Sequence, residues 1–137
     1  MNFRGTQVSV IPLNAGPEII LAAAVPKEIW SLSGRGTSCP NATKQVVRVT
    51  WTGGVRLPNR DELGDAQKSL YQVTVTSADG SQSQVSPAAL AELGDNDNNH
   101  FLCLDTTTPA TAVTFPAGYL VDPNGDLNAA SKVMVRR

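Results

Sequence analysis

His100 is the one histidine in this 137-residue chain, so any mechanism that moves a proton through an imidazole has to use it. Asp97, Cys103 and Asp105 are its potential helpers in sequence. A cysteine–histidine nucleophile pair needs an exposed thiol beside the ring. Cys103 instead sits inside Phe101-Leu102-Cys103-Leu104, where apolar side chains line both faces, and that is the setting of a packed thiol. On a strand, the odd spacing also sends His100 and Cys103 to opposite faces. Cys39 lies in a Gly/Pro loop with no histidine near it in sequence. The chain has no Gly-x-Ser-x-Gly elbow, no phosphate-cradling glycine loop and no dinucleotide fingerprint. No catalytic residue and no cofactor is expected, and the chain reads as non-enzymatic.

Metal chemistry is scarcely better provided for. Zinc is held by clustered His and Cys, and one histidine with two distant cysteines is too few. Two loops alternate oxygen-bearing side chains in the way a hard cation is wrapped. One carries Asp95, Asp97 and Asn99, and the other Asp122, Asn124 and Asp126, followed by Asn128. These are the calcium candidates. Neither loop has glycine at the sixth position or glutamate at the twelfth, and Asp, Asn and Gly are also the residues of ordinary turns. The two cysteines cannot make a disulfide framework. Buried thiols are the default expectation, with one bridge open to a domain that matures outside the cell. Asn41-Ala42-Thr43 fits the glycosylation pattern, but without a leader peptide it reads as a chance match.

The elements that must position these residues follow from composition and periodicity. Charged residues are 17% of the chain, against roughly 25% in an average globular domain, and the remainder is rich in Ser, Thr, Asn, Gln and Gly. That mix suits half-exposed strands and polar turns better than surface helices. Gln45–Thr52 places Val47, Val49 and Trp51 on one face, and Leu70–Thr76 does the same with Tyr71, Val73 and Val75. Ala78-Asp79-Gly80-Ser81 is a hairpin turn leading to a return strand at Gln82–Val85. Gln7–Ile11, Glu18–Val25, Glu28–Ser33, Phe101–Leu104, Val113–Phe115, Tyr119–Val121 and Lys132–Val135 read as further strands. Ser86-Pro87 is a helix start, so Ala88–Leu93 reads as a two-turn helix closed by Gly94. Asn59 reads as the cap of another helical turn ending at Gly64. Short strands with turns every 8–14 residues imply an all-β, mainly antiparallel domain, a small β-sandwich or barrel-like fold with one short helix. It spans residues 1–137 as one unit, with an extended N-terminal arm (1–13) and a C-terminal strand (132–137). Trp51 and Tyr71 align with valines and belong to the core, while Trp30 is less clearly patterned and suits an interface.

With 11 basic and 12 acidic residues there is no basic stripe for nucleic acid, and Arg136-Arg137 is the single basic doublet. No signal peptide is visible, and Ile19–Val25, the longest apolar run, is too short to span a bilayer. A structural or assembly protein is the expectation: a virion component, such as a small coat, cement or tail-interface subunit of a bacteriophage, made in the host cytoplasm. Its partner would be protein, through self-association or a larger assembly, with no nucleic acid and no membrane. The expected interface is the two terminal strands, through Val8, Val10, Lys132, Val133, Val135, Arg136 and Arg137, because untied terminal strands add to a neighbour's sheet edge. The alternative is an extracellular binding module for carbohydrate or a cell-surface ligand, with calcium as a candidate stabilising ion.

Overall fold

The computed structural model describes residues 16–30, 39–91 and 98–137. Val8 and Val10 of the expected N-terminal strand, and Asp95 and Asp97 of the first acidic loop, lie outside the described residues.

Alternating apolar residues become strands wherever a neighbour is within reach. The described strands are β1 (Ile19–Val25), β2 (Gln45–Trp51), β3 (Gln72–Thr76), β4 (Gln82–Val85), β5 (Ala89–Ala91), β6 (Asn99–Leu104), β7 (Ala110–Phe115) and β8 (Ser131–Arg136). They form one eight-stranded sheet in the order β4-β3-β7-β8-β1-β2-β6-β5. The sheet is mixed: β1 and β8 run parallel, with Ala22 opposite Val135, and the other pairs are antiparallel. Helical structure among the described residues is one turn, α1 (Lys27–Trp30), and one 3₁₀ segment, Asp65–Leu70. No described helix is long and apolar enough to cross a membrane.

The sheet curls over on itself. In a flat sheet β7 and β2 would lie three strand spacings apart, roughly 14 Å. Yet the rings of Trp51 on β2 and Phe115 on β7 are 5.1 Å apart between centroids, edge to face. Tyr71, just before β3, closes on Phe115 at 4.7 Å. Val47, Val49, Val73, Leu102, Leu104 and Val113 fill the rest of this inner core. Each such side chain stabilises the fold by roughly 1.5–3 kcal/mol on burial.

A second, smaller cluster lies on the outer face at one end of the sheet. Trp30 packs there with Val46, Ala89, Ala91, Phe101 and Cys103, and Val25 and Cys39 flank it. Trp30 is therefore a buried residue rather than an interface one. Cys39 and Cys103 are not two buried thiols: they are joined as a disulfide with Cα atoms 5.7 Å apart.

Four other expectations are corrected. Residues 88–91 of the expected helix Ala88–Leu93 are not helical. They include edge strand β5, whose Ala89–Ala91 pair with Cys103–Phe101. The local signal of Ser86-Pro87 is outweighed by tertiary hydrogen bonds. Asp65 Oδ1 accepts from the Leu90 N–H, and Lys68 Nζ donates to the Ala88 carbonyl, so groups of this strand are satisfied by side chains of the 3₁₀ segment. Residues 28–30 of the expected strand Glu28–Ser33 lie in α1, which starts after Pro26, whose carbonyl accepts from the Ile29 N–H. Gly64 starts the 3₁₀ segment instead of ending a helix: its N–H donates to Gln67 Oε1, and Asn59 makes an Asx turn onto the Asp61 N–H.

The fourth correction concerns the C-terminal strand. β8 is a central strand hydrogen-bonded to β7 on one side and β1 on the other. Its backbone is already used, so it cannot add to a neighbour's sheet edge. Val133 and Val135 pack against the inner core of their own chain. Arg137 donates to the Ala110 carbonyl, again within the chain. The N-terminal side of β1 is fixed just as tightly. A Cβ on Gly16 would sit 1.8 Å from the Leu127 carbonyl oxygen, so only glycine lets the two backbones approach this closely.

Candidate functional site

The groups capable of chemistry are drawn into the fold. His100 sits on β6 opposite Val49 and is fully buried in the curl. Trp51 Nε1 donates to the Tyr71 hydroxyl at 2.9 Å, and that hydroxyl lies 2.6 Å from His100 Nδ1. Which of the two gives the proton in that contact follows from the imidazole tautomer. The arrangement threads one polar wire through an apolar core, in which the indole N–H, the tyrosine hydroxyl and His100 Nδ1 are paired. Cys103 points to the opposite face, as the odd spacing from His100 requires, and its sulfur is bonded to Cys39.

The second calcium candidate is a self-contained turn. Asp122 Oδ1 accepts from the backbone N–H groups of Asn124 and Asp126. The carbonyls of Asp122 and Pro123 accept from the Arg60 guanidinium. Asn128, almost fully buried, accepts from the Tyr119 and Leu120 N–H groups and donates to the Pro116 and Ala129 carbonyls. In the first candidate loop, Asn99 Oδ1 accepts from the Thr50 hydroxyl. Among the described residues no three His, Cys, Asp or Glu side chains gather as a metal site would require. A cleft of about 290 Å³ beside this turn is lined by Gly54, Arg56, Arg60, Val121, Asp122 and Pro123. Arg56 in it faces Glu62 at 3.6 Å.

What remains is a surface. On the outer face of the central strands, Met134 of β8 lies one step along from the Ala22–Val135 pair, beside Leu21 of β1. Met134 is 66% exposed. Ile20, the extra residue where β1 slips register against β2, is 58% exposed next to it. Three cations leave the same face: Arg48 from β2, and Lys132 and Arg136 from β8. Val47 and Val49 beside Arg48 are core residues, and Val133 and Val135 beside Lys132 and Arg136 pack against the core. Of the residues expected at an interface, Lys132 and Arg136 lie on this face, and Val133 and Val135 do not. Sequence reasoning missed Arg48, Leu21, Ile20 and Met134 as part of it. The alternation around Arg48 marked it as outward-facing, but not which strands would lie alongside.

No family model matches this chain, and neither a curated protein nor a solved structure matches it.

Proposed function

We propose that the chain is a non-enzymatic structural protein that works by assembly, and within that class a virion component: a small coat, cement or tail-interface subunit of a bacteriophage. The observation that carries the reading is the outer face of the central strands. It sets Ile20 and Met134 in solvent on an open pleated surface, the geometry of a contact between proteins and not of a pocket for a small molecule. The contact is made by side chains across the face, because β8 lies between β7 and β1 inside its own sheet. The low charge content and the use of His100, Tyr71 and both cysteines in holding the fold are in keeping with that role.

Native mass spectrometry and negative-stain imaging of the purified chain test it. A ring, trimer or shell is the expected result. A chain that stays monomeric and adds to no larger particle overturns it. A second reading, an extracellular binding module, is favoured by the Cys39–Cys103 bridge, since disulfides persist in oxidising surroundings. Virion surfaces share that property, so a monomer that binds glycans is the result that selects the second reading.

A further inference from the structure

Nine basic side chains fall among the described residues, and they divide into two groups. Six are engaged within the chain. Lys44 faces Asp105, Arg56 faces Glu62, and Arg60, Lys68 and Arg137 donate to backbone carbonyls; Lys27 also has a partner. The other three, Arg48, Lys132 and Arg136, make neither an ion pair nor a hydrogen bond with the described residues. These three are the basic residues of the eight strands, and all leave the outer face. No Asp or Glu occupies any of those strands.

Register brings two of the three together. Ala23 of β1 is paired with Arg48 on one side and Arg136 on the other. Two strand spacings put the arginine Cα atoms roughly 10 Å apart, with only a methyl group between them. Both guanidinium forks can therefore close over Ala23 onto one carboxylate. Lys132 stands four residues back along β8, roughly 13 Å from Arg136, with Met134 between them. Like charges held this close, with no counter-charge among the described residues paired to them, repel, and a carboxylate from outside relieves the repulsion.

We infer that this face docks the acidic turns of a second copy of the chain, with Arg48 and Arg136 clamping a carboxylate over Ala23 and Met134 packed beside them. The inference rests on the assembly reading above. Charge complementarity selects the occupant. All nine described carboxylates lie in turns, loops and short helices, and Asp61, Asp79 and Asp105 among them are exposed. The chain thus carries a cationic face and anionic turns on one body, and face-to-turn contact between copies is heterologous, the kind that builds rings or filaments. A nucleic-acid strand fits the face less well. Stacking needs exposed aromatic rings, and the two aromatics at this side of the sheet, Trp30 and Phe101, are buried in the second cluster.

The test is sedimentation velocity on the full chain in about 20 mM and about 500 mM salt, for wild type, the R48A/R136A variant and a K44A control. Circular dichroism confirms that each variant is folded. Wild type is expected to associate at low salt and weaken at high salt, with R48A/R136A on the order of tenfold weaker and K44A unchanged. Association indifferent to salt and to R48A/R136A overturns the clamp and leaves the assembly reading standing. A wild-type chain that is monomeric in both salts overturns the self-docking proposal. If that monomer binds a single-stranded oligonucleotide through Arg48 and Arg136, the face belongs to nucleic acid and the assembly reading falls with it.

Discussion

Reducing the Cys39–Cys103 disulfide separates the two clusters of this fold. The bridge spans 64 residues of sequence. In the chain-entropy account, a cross-link closing a loop of that length removes roughly 4 kcal/mol of freedom from the unfolded chain, and native bridges typically contribute about 2–4 kcal/mol. A domain of this size is stable by about 5–15 kcal/mol, so the reduced protein stays folded but is markedly weaker. Urea titrations of oxidised and reduced protein measure the difference. Reduction is expected to lower the unfolding free energy by about 2–4 kcal/mol. It is also expected to steepen the denaturant dependence, since an unfolded chain without the cross-link exposes more surface. Cys39→Ala should match the reduced protein, because Cys39 is only half-buried and little packing goes with it. Tryptophan emission gives the local answer. Trp30 packs in the cluster that holds the disulfide, while Trp51 is sealed in the curl. Reduction in native buffer should shift emission to the red, and Trp30→Phe should abolish the shift. An unchanged midpoint on reduction would refute the argument. So would a red shift that survives Trp30→Phe, because it would mean that the inner core had opened too.

Tyr71→Phe keeps the ring but strips the shared hydroxyl from Trp51 and His100, and should cost about 2–4 kcal/mol in denaturant titration; a loss under about 0.5 kcal/mol would sink the role given to the hydroxyl. Deleting 132–137 removes most of a central strand, so circular dichroism should show an unfolded chain; a folded deletion would mean that β8 is dispensable. Gly16→Ala drives a Cβ into the Leu127 carbonyl and should lower stability by about 1–3 kcal/mol, visible as a lower thermal midpoint. Hydrogen bonds from the Ser81 hydroxyl and backbone hold the Asp79 carboxyl below its ordinary value of 3.8. A carboxyl lowered in the folded state adds stability above its unfolded value, and that stability is lost as pH falls through the folded value. Ser81→Ala should therefore raise the Asp79 titration midpoint in carbon-detected NMR, and an unmoved midpoint would contradict the assignment.

Period-two alternation determined more of this protein than any motif did. It located β2, β3, β6 and β8, placed Trp51, Tyr71 and the valines beside them in the core, and sent His100 and Cys103 to opposite faces, because a strand's geometry ties spacing to side. The Asp79-Gly80 turn and the Asp122–Asp126 turn were legible for a similar reason: their hydrogen bonds close within a few residues, and Gly80 and Gly125 supply the positive φ. Strand order was not legible, because an alternating segment reads the same at an edge as in the middle of a sheet. Only the fold makes β8 central and parallel to β1, which closes off strand addition there and sets Arg136 across Ala23 from Arg48. Ala88–Leu93 carries a helix start, yet its described residues lie in a strand, because Cys103, Leu102 and Phe101 offer a ladder and Asp65 and Lys68 satisfy the other side. Pairing across 64 residues likewise turned two separate thiols into one bridge. Local chemistry chose the elements. Which elements meet, and therefore which face carries Arg48, Lys132 and Arg136, was decided by long-range hydrogen bonds and burial, whose partners leave no mark in the neighbouring sequence.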